Sequence, residues 1–364
     1  MSKCIVIGAG AIGLMSARFL AQAGFEVELI ERGEVGRESS WAGGGIISPL
    51  YPWRYPDAVN RLADDSQRRY PELVAELRAE TGIDAQLLTS GMLLLDAPEP
   101  EMDDWARQWG HQVERLDSSA AIQAVQPGID PAVTQAIWLP DLMQIRNPRL
   151  LAALRASIEG LPGITVRTQT AVQSIAVEHG RAVGVETASG RIEGDVVLVS
   201  AGAWSSALLP EHGARFRRIE PVKGQMIQFR TEPGTLTRMI MRDSMYLIPR
   251  QDGRILAGST LEHTGFEKTT SEEALARLRR FATKVVPALA TAPVVHHWAG
   301  LRPGTDSGIP LIGPHPDVAG LFVNAGHYRN GIVIGLASTR LGVDLICGRT
   351  PEIDPGLYQL VRTA

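Results

Sequence analysis

Two cysteines in 364 residues, aromatic residues at only 5 % and no dense run of one charge are the scarcities that first bound this chain. Cys4 and Cys347 fall in a predicted first strand and a predicted late helix with no metal-ligand spacing. They read as buried thiols, and a reducing, cytoplasmic setting follows as the expectation. No histidine pair, His296 and His297 included, is backed by cysteines or carboxylates at zinc spacing, so no metal is expected. The net charge of −4 and the lack of a Lys/Arg stripe argue against nucleic acid as a partner. No stretch reaches the roughly 20 apolar residues of a membrane span. The first apolar run is a strand rather than a signal peptide, and the helix after it carries Arg18 and Gln22. Asp64-Asp65 and Glu272-Glu273 read as solvated helix faces. What remains is a globular chain, 44 % hydrophobic and 21 % charged, long enough for two domains with cores of their own.

The most informative text is at the start. Cys4 to Ile7 reads as a buried parallel strand running into Gly8-Ala9-Gly10-Ala11-Ile12-Gly13. A helix over Leu14–Ala23 and a second strand over Phe25–Ile30, ending at Glu31, complete a strand–helix–strand unit. In such a unit the first glycine makes the turn, the second lets backbone approach a pyrophosphate and the third packs helix on strand. The acidic residue is placed for a ribose hydroxyl, so an adenine dinucleotide is expected.

Glu38 to Gly45 is polar and glycine-rich, either backbone lying against a flat or phosphorylated ligand or a flexible surface loop. A helix is predicted over 57–81, strand-like text over 86–95, and a helix over 148–160 with Pro148 near its start. Strands are predicted at 164–167, 171–178, 181–187 and 195–200. The last ends in Ala201-Gly202-Ala203-Trp204, which fits a second approach to a nucleotide as well as an ordinary strand–turn–helix. From 218 to 297 alternating strands such as 225–230 and 245–249 surround one amphipathic helix near 272–286. The chain then returns to glycine-rich text, with an apolar helix running through Ile346. The expected fold is α/β, a Rossmann-like dinucleotide-binding domain with a second, mostly antiparallel β-sheet substrate domain (α+β). The first comprises 1–83, 144–213 and 299–364, and the second 84–143 and 214–298.

Gly8–Gly13, Ser39-Ser40 to Gly45, Pro221-Val222-Lys223-Gly224, Tyr246-Leu247-Ile248-Pro249-Arg250, Trp298–Gly304 and Gly326-His327-Tyr328-Arg329-Asn330-Gly331-Ile332 together resemble the glycine oxidase / D-amino acid oxidase family of FAD-dependent amine oxidoreductases. The resemblance spans nearly the whole chain and is nearest to the glycine oxidases. It implies FAD rather than NAD, with Gly8, Gly10, Ala11, Ile12 and Gly13 around the pyrophosphate and Glu31 and Arg32 at the adenosine. Ser39 and Ser40 would meet the phosphate–ribityl region, and Gly44, Gly45 and Ile46 would run beside the isoalloxazine. Val172 would offer backbone to adenine and Gly202 a further close approach. His327, Tyr328, Arg329, Asn330, Gly331, Ile332 and Val333 would pass the pyrimidine edge, where a final helix begins and its N-terminal dipole faces developing negative charge.

The resemblance further implies that Arg302 pairs with a substrate carboxylate, supported by the Tyr246 hydroxyl, with Arg329 as a second arginine beside the flavin. The implied reaction is hydride transfer from the substrate Cα to flavin N5, giving an imino acid that hydrolyses to a 2-oxo acid, with O2 as electron acceptor and a role in making the thiazole of thiamine. Two departures bear on the substrate: Arg242-Asp243-Ser244-Met245 lacks a histidine two positions before Tyr246, and Trp41 replaces a small residue. Glycine or sarcosine is expected, with a larger D-amino acid or an N-methylated amine open. So are a dehydrogenase passing electrons to a quinone or carrier, an NAD-dependent dehydrogenase, a flavin-binding protein without turnover, and a homo-oligomer. The aromatic stretch Leu50–Tyr55 reads either as a membrane-docking patch or as a packed lid.

Overall fold

The computed structural model describes residues 1–95, 98–209 and 218–360; the expected domain limit at 213/214 and the last four residues lie outside them. The glycine-rich start sits at the middle of a six-stranded sheet. Strand β1, Lys3–Ile7, lies between Val196–Val199 and strand β2, Glu26–Ile30, with Ile164–Arg167 beyond β2. On the other side follow Leu321–Ala325 and Leu311–Pro314, the latter the one antiparallel member. Cys4 to Ile7 are buried, as a near-continuous apolar strand covered on both faces requires. Cys347 is only partly buried, because it caps the end of helix Gly335–Ile346.

Helix α1, Ala11–Gln22, starts three residues before its expected Leu14, within the glycine run itself, with Gly10 as its extended N-cap. Its first turn therefore opens at the carboxyl end of β1. Gly13 is obligatory there, since a Cβ would lie 1.8 Å from the Gly8 carbonyl oxygen. Arg18 is fully buried, its Nε bonded to Ser157 at 3.1 Å and its Nη2 paired with Glu76 and Glu80 of the long helix Asp57–Thr81. That helix has the expected bounds, but Asp65 is buried and bonded to Arg69 at 2.9 Å rather than solvated, because this turn faces the C-terminal helix.

A second sheet of eight strands runs in the order Val294–Gly304, Glu220–Arg230, Arg254–Gly258, Met245–Pro249, Met239–Arg242, Met92–Leu94, Ala136–Leu139, Glu114–Leu116. It is antiparallel except where Met239–Arg242 meets Met92–Leu94. Ser271 N-caps the covering helix Glu272–Val285 by accepting from Ala274, and Leu278, Phe281, Ala282 and Val285 pack with Ile227, Phe229 and Leu247. Trp298 to Gly304, noted in the sequence only as glycine-rich, is the second half of a strand. Its glycines admit neighbours: a Cβ on Gly300 would lie 2.5 Å from that of Ala42.

Among the described residues no helix is long and apolar enough to cross a membrane. The Leu50–Tyr55 stretch packs as a lid, with Leu50 and Tyr51 buried and Trp53 edge-on to Tyr51 and tilted against Trp105.

Substituting Gly13 by alanine should destabilise the protein by roughly 1–3 kcal/mol, because backbone on both sides must shift. Thermal unfolding checks this, and an unchanged midpoint would contradict the close contact described.

Candidate functional site

The carboxyl ends of β1, β2 and Val196–Val199 open into a cavity of about 450 Å³ that continues to the eight-stranded sheet. At one end lie Gly8, Gly10, Ala11 and Ile12. No side chain of the N-cap covers the start of α1, although the Ala11 N–H donates to Ser40 Oγ at 3.0 Å. Free N–H groups and the positive end of a helix dipole suit a phosphate. Glu31 is buried and accepts from the N–H groups of Ala9, at 2.8 Å, and Gly33, at 2.9 Å. It thus braces the glycine turn while lining the cavity. The Arg32 guanidinium lies 3.4 Å over the Trp204 ring and pairs with Glu38 at 3.1 Å. Val172 and Gly202 complete this end.

The Ser39–Gly45 segment is a held structure and not a flexible loop. Ser39–Ala42 form one helical turn. Asn147, fully buried, donates to the carbonyls of Ser40 at 2.9 Å and Gly43 at 3.0 Å. Arg250 donates to Gly44 O at 2.7 Å, and to Gln144 Oε1 and Ile145 O at 2.8 and 3.1 Å. Burial drives the Arg250 pKa down, and these bonds offset the cost of its buried charge. Gly45 has φ +79° and no room for a Cβ, which would lie 2.0 Å from Ile145 O. The result is a flat glycine wall, with Gly44, Gly45 and Ile46 on the cavity. Neither Asn147 nor Arg250 was singled out from sequence. Arg250 stood inside the Tyr-Leu-Ile-Pro-Arg motif, and Asn147 only as a residue before proline.

The opposite wall is His327, Tyr328, Arg329, Gly331, Ile332 and Val333. Tyr328–Asn330 form a 3-10 turn, and the regular helix begins only at Gly335, later than expected. Two contacts from the long helix shape this start: the Tyr70 hydroxyl donates to Ile332 O, and Ser66 Oγ accepts from the Ala337 N–H. Asn330 is buried within the turn and does not line the cavity, and Gly13 is likewise behind it. His327 Nε2 lies 2.8 Å from Ser338 Oγ, which itself donates to Gly335 O, so Nε2 carries the proton. Burial pushes the His327 pKa down to about 3, leaving a neutral imidazole beside the cavity.

Arg302, Tyr246 and Arg329 all reach this cavity. The Arg302 guanidinium lies against Gly224, where a Cβ would be 2.2 Å from Nη2. Nη2 donates to Ser259 Oγ at 2.6 Å, and Nη1 to Lys223 O and Thr260 O at 3.3 and 3.2 Å. Every one of those acceptors is neutral. Burial pushes the Arg302 pKa down and Arg329 adds to it, while Tyr246 opposes both. A half-buried cation on a cavity wall, hydrogen-bonded only to neutral groups, is poised for an anion. The Tyr246 ring packs beside Gly44 and Gly258, with its hydroxyl 3.8 Å from Met226 Sδ. Met226 and Ser48, which carried no signal in the sequence, also line this end, together with Leu50 of the aromatic stretch. Trp41 does not line it. Its ring packs edge-on to Trp298 at 5.9 Å, so this departure does not narrow the cavity directly. Arg242 to Met245 form a tight turn whose Ser244 N–H bonds the Tyr51 hydroxyl at 3.0 Å. That turn also stays outside the lining.

A phosphate-ready helix start, a carboxylate at the end of the second strand and a flat glycine-walled slot fit an FAD molecule laid along the cavity. Among the described residues no group of three or more His, Cys, Asp and Glu is arranged to hold a metal. Comparison with known proteins agrees. The family described as FAD dependent oxidoreductase matches residues 3–345, and the chain belongs to it. It is an enzyme whose cofactor is FAD. It is 48 % identical over 357 residues to a glycine oxidase of Pseudomonas aeruginosa, covering 98 % of each chain. A bifunctional ThiO/ThiG protein of Synechocystis is 31 % identical over 95 % of this chain and 51 % of its own. The crystal structure of glycine oxidase from Geobacillus kaustophilus superposes over 100 % of both chains with a TM-score of 0.92 at 28 % identity.

The depressed His327 pKa makes stability pH-dependent. Unfolded, this histidine takes a proton near 6.5, and folded only near 3. Between these values the unfolded chain binds more protons. Stability is therefore complete above 6.5 and falls by up to roughly 4 kcal/mol as pH drops toward 3. Denaturant unfolding across this window should show a shallower acid slope in His327→Asn. An identical slope would contradict the neutral, buried imidazole.

Proposed function

We propose that this enzyme oxidises a small amino acid, glycine first, with sarcosine or a small D-amino acid as alternatives. The observation that carries the reading is the Arg302 guanidinium, half-buried on the cavity wall with only neutral hydrogen-bond partners. Its planar fork suits bidentate pairing with a carboxylate, and Tyr246 stands beside it to support the same group. Arg329 adds positive potential at this end. When bound, FAD supplies the two-electron acceptor for the substrate's Cα hydride. Arg302 and Tyr246 hold the acid group so that the Cα–H bond faces the glycine-walled slot. No strong protein base is required if the amine enters neutral. The product imino acid hydrolyses to a 2-oxo acid and ammonia or an amine.

In the same reading Gly8, Gly10, Ala11, Ile12, Glu31, Arg32, Ser39, Ser40, Val172 and Gly202 hold the dinucleotide, and Gly44, Gly45, Ile46 and residues 327–333 hold the flavin. Gly13 and Asn330 shape these walls from behind. O2 accepts the electrons, giving H2O2, in a cytoplasmic enzyme. The product supplies the thiazole of thiamine, as the likeness to a ThiO/ThiG protein supports. The division into a dinucleotide unit (1–83, 144–213, 299–364) and a substrate unit (84–143, 214–298) is likewise proposed. The separate six- and eight-stranded sheets support it.

Anaerobic addition of glycine, sarcosine or D-alanine should bleach the flavin, and aerobic turnover should release peroxide. Arg302→Leu should keep FAD and raise the glycine KM by ~100-fold or more, the scale for removing one partner of a buried charged pair. Normal turnover in that variant would overturn the substrate pose. Bleaching without peroxide would point instead to a quinone or carrier as acceptor.

A further inference from the structure

Lys223 belongs to the Pro221–Gly224 motif, yet only its backbone has so far had a role. Its side chain is buried, and its Nζ lies 2.9 Å from Glu262 Oε2 and donates to Thr269 O at 3.3 Å. The two residues are also paired through backbone, each N–H donating to the other's carbonyl at 2.9 Å. Neither side chain lines the cavity.

The pair is nonetheless connected to it. Arg302 Nη1 has two acceptors, the carbonyls of Lys223 and Thr260. The Glu262 carboxylate fixes both residues: Oε2 pairs with Lys223, and Oε1 accepts from Thr260 Oγ1 at 2.5 Å. Oε1 also accepts from Gln225 Nε2 at 2.9 Å, while the Gln225 N–H donates to Thr260 Oγ1 at 2.9 Å. Burial pulls the Glu262 pKa up, but the bonds from Thr260, Lys223 and Gln225 outweigh it, so the carboxylate stays ionised. One anion thus binds the side chains of both residues whose carbonyls aim the guanidinium, and it neutralises the ammonium of one of them.

We propose that Glu262 and Lys223 are positioning residues for the substrate carboxylate, setting the placement of Arg302 through the carbonyls of Lys223 and Thr260. The inference rests on the anchoring role of Arg302 proposed above. A guanidinium displaced by a fraction of its bond length to substrate weakens a bidentate contact sharply, whereas the hydride-accepting cofactor sits elsewhere and keeps its place. The signature is loss of carboxylate affinity without loss of turnover at saturation.

The test compares FAD-loaded parent, Glu262→Gln, Glu262→Asp, the double variant Lys223→Met/Glu262→Gln and Arg302→Leu. Acetate affinity is measured by calorimetry, and glycine KM and kcat by turnover. Glu262→Gln leaves the ammonium buried without its partner. It should raise acetate Kd and glycine KM about tenfold while kcat stays within about twofold. Glu262→Asp should fall between it and the parent, and the double variant should recover part of the loss because no unpaired charge remains. If Glu262→Gln does not fold, the aspartate and double variants decide by the same two readouts. Parent-like acetate Kd in the folded Glu262 variants, alongside lost binding in Arg302→Leu, would overturn this proposal and leave the anchor intact. Parent-like acetate binding in Arg302→Leu would remove the anchor itself.

Discussion

A positive charge set into a cavity wall without a negative partner is the constraint around which this site is organised. Arg302 emerges from a strand of the eight-stranded sheet, its guanidinium lodged over Gly224 and tied to two carbonyls and a hydroxyl. Neutral acceptors satisfy N–H groups but do not cancel charge, so the site favours an anion in the cavity. In the proposed reading a substrate carboxylate would offer that charge, and recognition and alignment would come from one interaction.

The far wall is supplied by distant parts of the chain. The six-stranded sheet presents the start of α1 and Glu31 at one end, while the glycine wall of Gly43–Gly45 is clamped by Asn147 and Arg250. Arg250 comes from the eight-stranded sheet and binds Gly44. One side chain therefore locks the slot to the sheet that carries Tyr246 and Arg302. The glycine wall and the sheet that carries Arg302 are thus tied together by a buried hydrogen bond.

Much of this was legible in the amino-acid sequence where local pattern carries the information. Helix 57–81 and strands 164–167, 181–187 and 245–249 have the predicted bounds, because hydrophobic period and turn residues act over a few positions. The motif around Arg302 led to a cavity residue, although its strand was not assigned from the glycine-rich text, where Gly300 is small to admit Ala42. The helix α1 boundary was read too late because a glycine at its cap was counted as loop. Asn147 and Glu262 escaped altogether, and Arg250 stood in a motif without a role of its own. Each acts on partners brought close only by folding. Asp65 was misread for the same reason, since its burial is decided by the helix packed against it.

The most direct measurement of the central claim is anaerobic flavin reduction by glycine against glycinamide, which keeps the amine and the Cα–H bond but carries no acid group. The account expects glycine to bleach the flavin at concentrations where glycinamide leaves it yellow, with the difference erased in Arg302→Leu. Equal reduction by both compounds in the parent enzyme would contradict it.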